Sequence, residues 1–371
     1  MGVSETDHGA GRRDPRRGAG ATERAQAHLN AIGTAVPPHD VHEAFVAYVL
    51  TSLQDERTKW LFERMVERSG ISRRRAVVDP LEGFYAPGAF PDTAARMRRF
   101  ERDAPELVAA ALASLEAQCR TWRKGLTHLV VTCCTGFYAP GLDLELVERF
   151  GLEPTLERTL IGFMGCNAAF NALKLARHAV RSDPDARVLV INLELCSLHL
   201  QEISELDKML MFLLFADGCA ASLVSAEPSG LALDRFASGL LPDSRDQITW
   251  HIGMDGFDMR LSGRVPRTIS RHLPVHVADL LGQRPLSDFE LWAVHPGGRS
   301  ILDAVQQSLG LGPEHMADSR DALRDHGNMS SATVMFVLAR MLARAPAGRL
   351  GCAMGFGPGL SVESLLFREA A

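Results

Sequence analysis

The sequence predicts a layered α/β fold made of two similar halves. Three observations predict it. Apolar runs of strand length alternate with helix-period segments along most of the chain. The order of pieces occurs twice, each time with a strand that reaches a reactive side chain and a later small-residue helix that opens on Gly-Cys or Gly-Asn. The 371 residues are 46% hydrophobic, enough to bury a large core.

Residues 1–27 are rich in Gly, Arg, Asp and Ala without periodicity and read as a disordered tail. Its cluster of Arg12, Arg13, Arg16 and Arg17 reads as solvated rather than phosphate-binding. The first half covers residues 28–228. Within it, residues 128–134 (HLVVTCC) form a short apolar run with β-branched residues and predict a strand. Residues 142–150 predict a helix and 159–164 a strand. Residues 167–181 place apolar side chains at helical spacing. Residues 187–195 (RVLVINLEL) and 219–225 are strands. The second half covers residues 229–371, with strands at 290–295, 352–356 and 361–367 and a long helix at 330–343.

Charged residues make up 23% of the chain and the formal net charge is -5, which argues against a general nucleic-acid or membrane-surface binder. The longest apolar run, residues 209–216, is closed by Lys208 and Asp217 and is too short to span a bilayer. The N-terminus has no apolar signal core. The seven cysteines are odd in number, so free thiols in a reducing cytoplasm are expected rather than a disulfide framework. Neither CxxC nor HExxH occurs, and no metal site is expected.

Three residues carry chemistry. Cys166 follows a strand and Gly165 and precedes a helix, where macrodipole and unpaired N–H groups favour thiolate. A small buried core residue is the competing reading. His295 ends a strand before Pro296-Gly297-Gly298, at a sheet edge where sites form; a capped loop histidine competes. Asn328, between Gly327 and a helix, is by itself an N-cap. Together they describe a nucleophile, its proton partner and an amide that joins the imidazole in polarising a thioester carbonyl. Cysteine proteases share these residue types, but no CGSCW-type segment is present.

From about Ala31 to the C-terminus the chain resembles the chalcone synthase-like, or type III polyketide synthase, family. The matching pieces are Ala31-Ile32-Gly33-Thr34-Ala35, Thr127-His128-Leu129-Val130-Val131, Thr135-Gly136, Pro140-Gly141 and Gly165-Cys166. Leu214-Phe215-Ala216-Asp217-Gly218, Trp292-Ala293-Val294-His295-Pro296-Gly297-Gly298, Gly327-Asn328-Met329-Ser330-Ser331-Ala332 and Gly355-Phe356-Gly357-Pro358-Gly359-Leu360 complete the set.

The resemblance implies the thiolase fold, five αβαβα layers, as a homodimer without metal, cofactor or carrier domain, CoA thioesters being substrates. It implies an acyl-CoA starter held on Cys166, malonyl-CoA as extender, and His295 with Asn328 driving decarboxylation. Phe215 then matches a gatekeeper, and Met259 stands where the second gatekeeper is usually Phe. Cys134 and Trp250 match cavity positions. Arg64 and Arg68 match CoA-phosphate contacts, against a reading as a solvated helix face. Gly355, Phe356, Gly357, Pro358 and Gly359 match the cyclisation scaffold. Residues 84–88, Phe90-Pro91 and Met259 look bacterial rather than plant chalcone-forming. An alkylpyrone or alkylresorcinol from a fatty acyl starter, or a malonyl-primed aromatic, is the product class implied. A ketoacyl-ACP synthase III would carry His-Gln-Ala-Asn where this chain has His295-Pro296-Gly297-Gly298. A hydroxymethylglutaryl-CoA synthase would need a dedicated Glu base. A non-catalytic acyl-CoA binder would not need all three reactive residues.

Overall fold

The computed structural model describes residues 25–86, 88–202, 206–344 and 348–370. The tail read at residues 1–27 lies largely outside them, as do its four arginines and Pro87.

The first half runs β1 (His28–Ala35), β2 (His39–Asp40), α1 (His42–Ser52), α2 (Glu56–Ser69), β3 (Arg75–Ala76), α3 (Thr93–Gln118), β4 (His128–Cys133), α4 (Leu142–Phe150), β5 (Glu157–Gly162), α5 (Ala168–Ser182), β6 (Val188–Leu195), α6 (Leu206–Leu214) and β7 (Asp217–Ser225). The second runs β8 (Leu231–Leu240), β9 (Ile248–Gly253), β10 (Gly256–Leu261), α7 (Val265–Leu281), β11 (Phe289–Val294), α8 (Arg299–Leu309), α9 (Ala317–His326), α10 (Thr333–Leu342), β12 (Leu350–Gly357) and β13 (Ser361–Glu369).

Local signals account for several boundaries. Asp55 and Asp92 cap α2 and α3 by accepting from Thr58 N (2.8 Å) and Ala95 N (2.7 Å), which satisfies an otherwise unpaired N–H at each helix start. Gly70 and Gly151 end α2 and α4 in the left-handed conformation. The strand expected at 159–164 stops at Gly162, because Phe163 turns to φ 56. The helix expected from residue 330 begins with a 3-10 turn, Ser330–Ala332.

The principal sheet has the order β11-β12-β13-β8-β1-β7-β6-β4-β5 among the described residues. β4 lies parallel to β5 and β6, and β11 parallel to β12, whereas the strands toward the middle are antiparallel. The halves meet where β1 pairs β8 through only His28↔Ala232 and Leu29↔Leu231. Two sheets joined at one corner result.

Side-chain alternation turns these sheets into five layers. Leu129 and Val131 of β4, with Leu189, Ile191 and Leu193 of β6, join a core under α3 and α4. Val130, Val188 and Val190 point the other way, into a core shared with α5 and α10. In the second sheet Ala293, Ala353 and Leu365 face that same middle layer. Trp292, Cys352 and Val362 face the outer layer that contains α7 and α8. The αβαβα arrangement expected for a thiolase-like fold is thus present. The apolar run at 209–216 is a buried helix end, α6 with Phe215 and Ala216, inside the protein core.

Candidate active site

Each half delivers its reactive groups at the C-terminal ends of its parallel strands. Cys134 lies one residue past β4, and His295 one residue past β11. Cys166 sits in a 3-10 turn (Gly165–Asn167) that leads into α5, and Asn328 directly precedes the turn into α10. The repeated order of pieces in the two halves has a spatial counterpart: the two middle-layer helices begin beside the same pocket.

A pocket of about 50 Å³ is lined by Cys166, His295 and Asn328 together with Cys134, Phe215, Trp250 and Met259. That is room for a few waters. Phe356, Gly357 and Pro358 from the end of β12 close another wall. The remaining scaffold residues do not face it. Gly355 packs behind His295, and Gly359 lines an outer cleft. The expected CoA contacts also stand apart. Arg64 is exposed and paired with Glu67 at 2.5 Å, and Arg68 is exposed on the same helix. Neither lines the pocket.

The backbone at the nucleophile is specific. Gly165 adopts φ +81, and a Cβ there would lie 2.3 Å from Pro358 Cδ. Glycine is therefore required twice over, for conformation and for space. Phe163 (φ 56) and Ser330 (φ 46) are non-glycine residues in left-handed geometry, and both line the pocket. Such backbone costs on the order of 1–3 kcal/mol per residue and concentrates at functional sites.

Asn328 is oriented by its neighbours. Its Oδ1 accepts from Ser330 N at 2.9 Å, so the amide nitrogen is turned the other way, 3.4 Å from Gly297 O. The His295 ring is 1% exposed, and neither nitrogen has a hydrogen-bond partner. A Cβ built on Gly297 would lie 3.7 Å from His295 Nε2. The histidine and the amide thus converge beside Gly297: the imidazole nitrogens are unpartnered, while the amide donates one long hydrogen bond to Gly297 O and has a second N–H to give. An unpartnered buried polar atom is costly, and here it marks the place where a ligand oxygen would be received.

Burial dominates the electrostatics. It pushes the Cys166 thiol up to about 12, with Glu194 adding to the rise and Ser330 and Asn328 opposing it. It pulls the His295 imidazole down to about 3. The helix start by itself favours thiolate; around half-buried Cys166 desolvation outweighs that effect. Each shift is the cost of one lone charge. Moving the proton from Cys166 to His295 creates two opposite charges together, and their attraction offsets part of that cost.

Two buried groups escaped the sequence reading. Glu194 is fully buried, accepts from Cys134 N (2.9 Å), Thr135 Oγ1 (2.9 Å) and Ser331 Oγ (2.6 Å), and is pushed up to about 7 by burial. A lone carboxylate in the apolar run RVLVINLEL was the signal for it. His199 bridges Thr135 O (2.6 Å) and Phe257 N (3.1 Å) and stacks on Phe257 with ring centroids 4.1 Å apart. It thereby anchors the β9–β10 hairpin that carries Trp250 and Met259. No sequence pattern marked it.

Among known proteins, profiles described as chalcone and stilbene synthases match this chain at residues 16–228 (N-terminal domain) and 233–371 (C-terminal domain). The "Alpha-pyrone synthesis polyketide synthase-like Pks18" of Mycobacterium tuberculosis is 34% identical over 361 residues, covering 91% of this chain and 90% of that protein. "Polyketide synthase 37" of Dictyostelium discoideum is 35% identical over 259 residues, 66% of this chain and 9% of that protein. The crystal structure of PKS-I from the brown alga Ectocarpus siliculosus superposes with a TM-score of 0.85 at 30% identity, covering 94% of this chain and 100% of that one. The C-terminal type III polyketide synthase domain of Steely1 from Dictyostelium shares the fold at a TM-score of 0.85 and 24% identity, over 93% of this chain and 100% of that one.

Proposed function

Because the chain belongs to the chalcone and stilbene synthase family and is a type III polyketide synthase of bacterial type, we propose that it extends an acyl-CoA starter with malonyl-CoA on Cys166. The single observation that carries this assignment of residues is the convergence of Cys166, His295 and Asn328 on one small pocket.

Cys166 Sγ attacks the starter thioester while its proton passes to His295, which returns it to the departing CoA thiolate. The acyl group is then a cysteine thioester. Malonyl-CoA enters next with its thioester oxygen between His295 Nε2–H and the Asn328 amide. Loss of carbon dioxide leaves an enolate, whose charge those two donors stabilise. The carbanion attacks the Cys166 thioester, the new C–C bond replaces the C–S bond, Cys166 leaves as its thiolate and takes a proton from solvent, and a chain two carbons longer is left on CoA. Reloading repeats the cycle, and the poly-β-keto chain cyclises to a pyrone or a phenolic ring. The reaction as proposed needs no metal or cofactor.

Phe215 and Met259 act as gatekeepers. Trp250 and Cys134 limit the space beyond them, and Arg64 and Arg68 contact the CoA phosphates at the surface. Unbranched Met259 yields to an aliphatic chain more readily than Phe would, which supports an extended aliphatic starter. We further propose a homodimer formed along β5. That edge strand is exposed except at Ile161, and Phe137, Leu160, Phe163 and Met164 form an exposed apolar patch beside it. A cytoplasmic location is proposed from seven unpaired cysteines. No helix among the described residues is long and apolar enough to cross a membrane.

The test supplies malonyl-CoA with a panel of starter CoAs and reads products by mass spectrometry. Cys166→Ala is expected to lose acyl loading, and Asn328→Ala to lose most carbon dioxide release. A covalent acyl-enzyme in Cys166→Ala, or wild-type decarboxylation in Asn328→Ala, would overturn those roles.

A further inference from the structure

Phe215 faces two cavities. On one side is the nucleophile pocket of about 50 Å³. On the other is a cavity of about 430 Å³, walled by Phe45 and Tyr48 of α1, by Tyr85 and Phe90, and by Cys196 and Phe212. Among the described residues, Phe215 is the one that lines both. Its position therefore decides whether the small pocket and the large apolar cavity are separate or continuous.

The backbone that bears Phe215 is held from below by one guanidinium. Arg74 is 3% exposed. Its Nη1 donates to Phe212 O at 2.5 Å and Phe215 O at 2.9 Å, carbonyls at the C-terminal end of α6. A cation there also meets the negative end of the helix dipole. Its Nε donates to His42 Nδ1 at 3.1 Å, and the group lies over the Phe45 ring at 4.8 Å. Those contacts fix the guanidinium to α1, the far wall of the large cavity. Its stem passes Gly327 (φ +70), where a Cβ would come within 2.9 Å of Arg74 Cγ and of Leu214 O. Asn328 is held separately, by its own N–H to Leu214 O at 2.8 Å. Lysine has one point of charge and no planar fork, so it cannot span two carbonyls and an imidazole in this way.

We infer that Arg74 is a positioning residue that fixes Phe215 as the partition between the two cavities and thereby sets the acyl length accepted at Cys166. This rests on the gatekeeper role proposed for Phe215. With the clamp in place, an acyl group on Cys166 is confined to the small pocket and whatever room Met259 yields, and reaches the large cavity only if Phe215 gives way. With the clamp broken, the end of α6 relaxes, and the large cavity opens to the tail of the acyl chain.

The experiment measures kcat/KM with acetyl-, hexanoyl- and lauroyl-CoA as starters, malonyl-CoA being the extender. Arg74→Met keeps the stem and removes the hydrogen bonds. It is expected to raise the lauroyl-to-acetyl ratio by about tenfold, the scale on which pocket walls discriminate chain length. Arg74→Lys should fall between it and wild type, and Phe215→Ala should shift the ratio at least as far. A merely structural role would lower all three starters by one factor. That outcome, or an unchanged ratio, overturns the inference while a shifted ratio in Phe215→Ala keeps the gatekeeper reading. An unchanged ratio in Phe215→Ala overturns both. If Arg74→Met does not fold, Arg74→Lys and His42→Leu carry the test. Both should shift the ratio in the same direction, and an unchanged ratio in both overturns the inference.

Discussion

At the residue scale the pairing of Cys166 with His295 is decided by desolvation. A lone thiolate is disfavoured in this pocket, as the rise of the thiol to about 12 records, and so is a lone imidazolium. In the proposed mechanism the thiolate that reacts is the one formed with a proton held on His295. His295→Gln removes the acceptor and leaves the lone-charge cost in place. Alkylation of Cys166 by iodoacetamide at neutral pH is expected to slow at least about tenfold, since one pKa unit is about 1.4 kcal/mol. Peptide mass spectrometry separates Cys166 from the other thiols. An unchanged alkylation rate would show that the thiolate does not depend on the imidazole. Cys166, His295 and Asn328 were legible as candidates because each sits at a strand end or helix start, Cys166 and Asn328 directly after glycine and His295 before Pro296-Gly297-Gly298. Their protonation was not, because it depends on burial by residues from distant parts of the chain.

At the element scale Glu194 ties three pieces together. It stands near the end of β6 and accepts from Cys134 and Thr135 beyond β4 and from Ser331 in the turn before α10. The donors favour the carboxylate, but burial outweighs them and raises its value from the ordinary carboxylate range to about 7. The native state therefore binds this proton more tightly than the unfolded chain does. The stability it contributes is full below the ordinary carboxylate value and is lost as pH rises through about 7. Asp217 is raised to about 6 by burial and acts in the same direction. The buried histidines His42, His199 and His295, whose values burial lowers, act in the opposite direction and are common to wild type and Glu194→Gln, so the expected outcome lies in the difference: the melting temperature of wild type loses ground to that of Glu194→Gln between about pH 5 and about pH 8. Because Asp217 is common to both proteins, the difference reports Glu194. Parallel melting curves across that range would remove Glu194 from the account. The β9–β10 hairpin belongs to this scale too. Met259 and Trp250 are cross-strand partners on it, so one element presents both to the pocket.

At the scale of the whole molecule the exposed edge is the outstanding feature. β5 closes one end of the sheet, with no strand paired on its outer side among the described residues, yet Leu160 is 49% exposed and Phe137 47%. Neither Lys nor Pro occupies the strand to blunt it, although Glu157 and Arg158 charge its first residues. A second copy is the proposed cover. Leu160→Glu is expected to convert a dimer to a monomer in size-exclusion chromatography with light scattering. A wild-type protein that elutes as a monomer at micromolar concentration would sink the proposed dimer. Phe163 lies on the same edge and also lines the nucleophile pocket. Loss of the dimer should therefore lower activity even with every catalytic residue intact.

The alternation of buried strands and amphipathic helices is a local property, and so it was readable from composition and period alone. Layered α/β packing followed from it, since strands such as Val188–Leu195 are buried on both faces and need helices on each side; the count of five αβαβα layers came from the family resemblance. The reactive residues were readable for a related reason: Gly165, Gly297 and Gly327 mark places where the chain turns tightly beside a helix start or a strand end. What only the tertiary structure decided are the properties that arise between segments far apart in sequence. The roughly 50 Å³ pocket, the roughly 430 Å³ cavity beyond Phe215 and the clamp from Arg74 to the end of α6 each join residues more than a hundred positions apart. The bonds of His199 to Thr135 and to the hairpin join residues 64 and 58 positions apart. Cavity volume and desolvation depend on which surfaces face each other after folding, and no local pattern in the chain encodes that distance.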